Sequence, residues 1–167
     1  INCPAVVVHP TALAERDAEW DENLNFYRGL IPYIKKYKGV KICLENIFGR
    51  FGTRFIEGRL SNPYDAARMI DVLNEEAGGD YFGFCLDVGH ANLCHLDVKN
   101  YLKIMGMRMT IFHIHDNNAM DDLHMIPYSY LTNGKTHVCD WNRFVEGIKE
   151  IGFEGIEFSG IDTAKYS

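Results

Sequence analysis

Two hydrophobic patterns alternate along the chain. Short, mainly apolar runs at residues 5–8, 40–44, 84–86 and 109–112, interrupted only by Lys41 and Thr110, have the length and the β-branched or aromatic content of buried strands. Between them the apolar positions recur every three or four residues. Trp20, Leu24, Tyr27, Ile31 and Ile34 line one face of a helix predicted over residues 15–37, which Pro32 kinks or divides in two and Gly39 ends. Asn62 and Pro63 are a cap and a first helical residue, and Ala67, Ile70, Val72 and Leu73 follow as the apolar side of a helix stopped by Gly78-Gly79. A shorter helix is predicted over residues 98–105. The last begins at Asp140-Trp141, turns Trp141, Phe144, Val145 and Ile148 inward, and closes at Gly152. Residues 155–158 read as a final short strand carrying Glu157. Residues 48–60 and 116–138 show no clear period, so both are predicted as irregular, the first as a long loop over the functional face.

Five strands joined by helical crossovers mean an α/β fold with a parallel sheet, either a barrel or a doubly wound sheet. In both, ligands bind where the strands end. Here the apolar runs end in chemistry: His9 after the first, Glu45-Asn46 after the second, Asp87-Val88-Gly89-His90 after the third and His113-Ile114-His115-Asp116 after the fourth. Glu45, Asp87, His113 and Glu157 would bring three carboxylates and one imidazole to a point. Without a cation or a proton such carboxylates repel one another, and oxygen-rich sets with one nitrogen suit Mn²⁺, Mg²⁺ or Co²⁺.

Composition narrows the picture. With 167 residues, 47% of them hydrophobic, the chain is long enough for one packed domain over residues 1–167. A net charge of −6 supplies no basic field for a phosphate backbone, which weighs against nucleic acid as a partner. The five scattered cysteines suit reduced thiols in a cytoplasmic protein. No apolar run reaches the length of a membrane span, and no signal peptide is visible. Arg50, Arg54 and Arg59 are candidates for reaching an anionic substrate.

The motifs also carry a resemblance. Val-His-Pro at His9, Leu-Glu-Asn at Glu45, Leu-Asp-Val-Gly-His at Asp87 and His90, and His-Ile-His-Asp-Asn at His113 stand in an order similar to that of the xylose isomerase-like TIM-barrel superfamily. Asp-Leu-His at Asp122, Asp-Trp at Asp140 and Ile-Glu at Glu157 continue it. The resemblance implies a TIM-barrel type α/β fold of which this chain is the C-terminal five βα units, strands four to eight. The first three units would then be missing through truncation or proteolysis, or supplied by another copy in a homo-oligomer. It further implies a divalent metal held by Glu45, Asp87, His113 and Glu157, with Glu45 and Glu157 as the acid-base pair of a sugar or sugar phosphate isomerase or epimerase. His9, His90, Asp122 and His124 would line the substrate pocket, and His115, where the family varies, would support the ligands from behind. Two alternatives stand beside this: an endonuclease-four type enzyme with several zinc ions, using His90, Asp122 and His124 for one and His9 and Glu45 for another, and a non-catalytic sugar-binding or subunit role. Residues 126–134 depart from the family's usual Pro-Gly-x-Gly, which leaves the sugar open.

Overall fold

A computed structural model describes residues 3–11, 16–128 and 139–153. Four parallel strands form its sheet: β1 (Ala5–Val7), β2 (Lys41–Glu45), β5 (Phe82–Asp87) and β6 (Met109–His113), in the order β1-β2-β5-β6. The register sets Glu45 opposite Cys85 and Asp87 opposite His113, so the polar strand ends lie at one edge of the sheet. Strand β5 is buried along its whole length, as its unbroken apolar run requires of a strand covered on both faces. The predicted fifth strand, with Glu157, lies outside the described residues.

The helices begin and stop where local chemistry dictates. α1 (Arg16–Arg28) and α2 (Ile31–Ile34) are the two abutting helices expected, but the break falls at Gly29-Leu30, and Pro32 sits in the first turn of α2. There its missing N–H costs no hydrogen bond. Asn62 caps α3 (Pro63–Ala77) by accepting from the Tyr64 N–H at 2.9 Å, and Gly78 closes it with φ +70°. Aspartates cap the remaining three helices: Asp87 for α4 (Val88–Leu93), Asp97 for α5 (Val98–Met105) and Asp140 for α6 (Trp141–Glu150).

Two expectations are corrected. Residues 48–57 are an antiparallel hairpin, β3 (Phe48–Phe51) and β4 (Arg54–Glu57), rather than a loop. Gly52, at φ +60°, makes the tight turn. Val145 is 40% exposed on α6, while Trp141 and Phe144 are buried as expected and Ile148 packs partly against the core.

The core packs α3 and α5 against β5, with Ile70, Leu73, Phe84, Leu86, Tyr101, Leu102 and Met105 all buried. Asn74 ties α3 to the start of β5: its Oδ1 accepts from the N–H groups of Tyr81 (2.9 Å) and Phe82 (2.8 Å), and its Nδ2 donates to the Phe82 carbonyl (2.9 Å). Asn74→Ala strands these backbone groups, so we expect it to lower the unfolding free energy by about 1–3 kcal/mol, read as a lower urea midpoint with an unchanged slope.

Candidate metal centre

The site grows out of the strand ends. Glu45 ends β2, Asp87 ends β5 and His113 ends β6, and both carboxylates are 1% exposed. Glu45 Oε1 accepts from His113 Nδ1 at 3.2 Å, and Asp87 Oδ2 lies 3.7 Å from the same nitrogen. His9, on the loop after β1, reaches Glu45 Oε2 with its Nε2 at 3.0 Å while its side chain is 66% exposed. Three sequence-predicted ligands therefore meet, and Glu157, the fourth, falls outside the described residues.

Asp87 is the hub of this arrangement. One carboxylate oxygen caps α4 by accepting from the His90 N–H at 2.7 Å, and the group also takes His115 Nε2, 3.0 Å from Oδ1 and 3.1 Å from Oδ2. Burial is the largest single influence on its pKa and would raise it, yet the hydrogen bonds from His113 and His115 and the charge of His90 outweigh it and hold the carboxyl well below the usual carboxylate range. The imidazoles answer in the opposite sense. Asp87 first, then Cys85 and Glu45, push His113 up to about 12. For His115 burial pulls downward, but the hydrogen bond and charge of Asp87 prevail and raise it.

A second layer surrounds the hub. His90 Nε2 lies 3.7 Å from Asp122 Oδ2, His124 Nε2 lies 3.6 Å from Asp122 Oδ1, and the His115 and His124 rings stack at 4.1 Å and 4°. The predicted pocket residues His90, Asp122 and His124 are thus neighbours. Arg50 does not point at this cluster: its guanidinium covers the Phe55 ring at 4.7 Å, and Arg59 Nε faces Glu19 at 3.9 Å.

Sequence reasoning passed over Cys85 and gave His115 the supporting place that it takes. His115 bonds Asp87 directly, and Cys85 stands beside Glu45 and His113. Strand periodicity could have found Cys85, which shares a face of β5 with Asp87, whereas His115 lies past the end of β6, where the period no longer holds.

Donors for a divalent cation are present, but they divide the predicted set: Glu45 and His113 group with Cys85, and Asp87 groups with His90 and His115. Glu45-Cys85-His113, Asp87-His90-His115 and His115-Asp122-His124 each bring one ligand atom per residue within 4.8 Å of one another. His115 Nδ1 and Asp122 Oδ1 are buried without a hydrogen-bond partner, which a bound ion would remedy. Gly89 guards this packing, since a Cβ there would stand 2.0 Å from His115 Cε1. Gly89→Ala should push the ring off Asp87 and lower the unfolding free energy by about 1.5–3 kcal/mol, the range for a hydrogen bond to a charged group, in urea unfolding.

Comparison with known proteins decides the family. The xylose isomerase-like TIM barrel model matches residues 1–160. The chain belongs to this family. Among its relatives is an uncharacterized protein of Methanocaldococcus jannaschii, 27% identical over 163 residues, which span 93% of this chain and 50% of the relative. Among solved structures, a D-psicose 3-epimerase crystallised in the presence of D-fructose superposes with a TM-score of 0.62 at 14% identity, covering 90% of this chain and 48% of that one. The IOLI protein with a bound zinc atom superposes at 0.56 with 18% identity, covering 91% of this chain and 51% of that one. At such identities the likeness is one of fold: the parallel sheet is a curled half-barrel, and this chain spans about half the length of these relatives. Among the described residues no helix is long and apolar enough to cross a membrane.

Proposed function

We propose that this chain carries the metal and acid-base site of a divalent-metal-dependent sugar or sugar phosphate isomerase or epimerase. The observation that supports it best is the meeting of Glu45, Asp87 and His113 at the ends of adjacent parallel strands, two buried carboxylates sharing one imidazole. With Glu157 these residues would hold one Mn²⁺, Mg²⁺ or Co²⁺. When bound, the ion supplies the positive charge that makes a negative oxygen beside the reacting carbon affordable.

The rest is done by the chain's own groups. Glu45 takes the proton from the carbon next to the sugar carbonyl, and the electron pair left behind moves into the C–C bond as the carbonyl oxygen becomes negative. Glu157 returns a proton, to the other face of the same carbon in epimerisation, or in isomerisation to the neighbouring carbon as the hydroxyl proton on the first carbon passes to the oxygen of the second and a carbonyl forms at the first. His90, Asp122, His124 and His9 hold the substrate's hydroxyl oxygens around this centre, above the buried floor of β2 and β5.

One observation favours a second reading. The His115-Asp122-His124 group and the 3.7 Å approach of His90 to Asp122 are a further donor cluster beside the first, as a multi-zinc enzyme acting on abasic DNA would need. The net charge of −6 weighs against a polyanionic substrate. The test is a ketose panel incubated with metal-loaded protein in D₂O and read by NMR. Deuterium entering next to the carbonyl, and stopped by chelation, supports the isomerase or epimerase. Incision of abasic DNA without sugar exchange supports the second reading, and sugar binding without either reaction supports a non-catalytic role.

A further inference from the structure

Asn46 follows Glu45 directly, and its side chain closes the gap between two strand ends. Its Nδ2 donates to the Asp87 carbonyl at 3.0 Å, and its Oδ1 accepts from the Asp87 N–H at 2.8 Å. This pair of bonds extends the β2–β5 ladder one step past Glu45 with a side chain in place of backbone. Asn46 is 1% exposed, so neither bond competes with water. The clamp fixes where the Asn46 backbone carbonyl points, and that carbonyl lies 2.9 Å from His90 Nδ1.

A carbonyl oxygen only accepts, so a hydrogen bond at this distance places the hydrogen on Nδ1. The other groups nearest that nitrogen agree: Glu45 Oε1 at 3.6 Å and Asp87 Oδ2 at 3.8 Å are also acceptors. Nε2 faces the opposite way, toward Asp122 Oδ2 at 3.7 Å, beyond hydrogen-bond range. The Phe48 ring meets the imidazole edge to face at 5.0 Å and blocks its rotation.

We infer that Asn46 is a positioning residue that holds the His90 Nδ1–H on its own backbone carbonyl, so that Nε2 is the ring nitrogen presented to the pocket for a substrate hydroxyl. The hydrogen on Nδ1 stands on geometry alone; the role of Nε2 toward a sugar rests on the function proposed above.

Long-range ¹H–¹⁵N correlation of the labelled full chain near pH 8 reads the tautomer directly, with or without bound metal. Wild-type protein should show His90 with a proton on Nδ1. Asn46→Ala frees the carbonyl and should let a substantial second population, with Nδ1 unprotonated, appear. Asn46→Asp should behave like the alanine variant, because it loses the donor to the Asp87 carbonyl. Asn92→Ala, which removes a hydrogen bond to Asn117 but none to His90, should leave the wild-type pattern. A wild-type His90 whose Nδ1 carries no proton overturns the inference even if neither Asn46 variant folds. So does an unchanged tautomer in a folded Asn46→Ala protein. In the sugar exchange assay Asn46→Ala should raise KM about tenfold with a smaller change in kcat. Absence of exchange by wild-type protein would refute the proposed function and leave the tautomer result standing.

Discussion

Glu45→Gln should lower turnover by about 10²–10⁴-fold in the sugar exchange assay with metal at saturation, while the protein stays folded. The substitution keeps the shape of the side chain and removes both its charge and its basicity. Gln Oε1 can still accept from His113 across the 3.2 Å gap, so the packing survives. An amide, however, cannot take the substrate's proton, and it weakens the hold on a divalent ion. Glu157→Gln should cost a comparable factor through the return of the proton. Turnover unchanged in either variant at saturating metal would remove that residue from the acid-base role.

The largest expected effect on stability belongs to Asp87. Asp87→Ala should lower the unfolding free energy by about 3–5 kcal/mol, the range for removing one partner of a buried charge pair. It leaves the His113 and His115 imidazoles facing each other without the carboxylate that balances them, and it uncaps α4. Urea unfolding measures the loss, and a change below about 1 kcal/mol would contradict the hub role given to this residue. Acidification should imitate the substitution with a definite sign. Because Asp87 titrates lower in the folded chain than in the unfolded one, its contribution is complete above the unfolded carboxylate range near pH 4 and fades as the pH falls below it.

Particular residues show what was legible beforehand. Asn62, Pro63 and Gly78 announce α3 because capping and left-handed closure are local chemistry, and the structure uses each as expected. The apolar runs at residues 40–44 and 84–86 mark central parallel strands because burial on both faces leaves no polar alternation. The β3–β4 hairpin hides its period, since its register sets Phe48 opposite Glu57 and Arg50 opposite Phe55, so neither face is uniformly apolar. In the site, the strand-end positions of Glu45, Asp87 and His113 follow from counting residues. The partnership of His115 with Asp87 depends on the close approach that Gly89 allows between α4 and the chain leaving β6, a tertiary fact. The clamp made by Asn46 likewise appears only once β2 and β5 are known to be neighbours.

The central claim is a site for one divalent ion, and elemental analysis of the purified protein before and after chelation tests it most directly. About one Mn, Co or Mg per chain, lost on chelation and regained on reloading, is the expected result. Two or three zinc ions per chain would contradict it in favour of the multi-zinc reading, and protein that takes up no divalent ion at any concentration would contradict it outright.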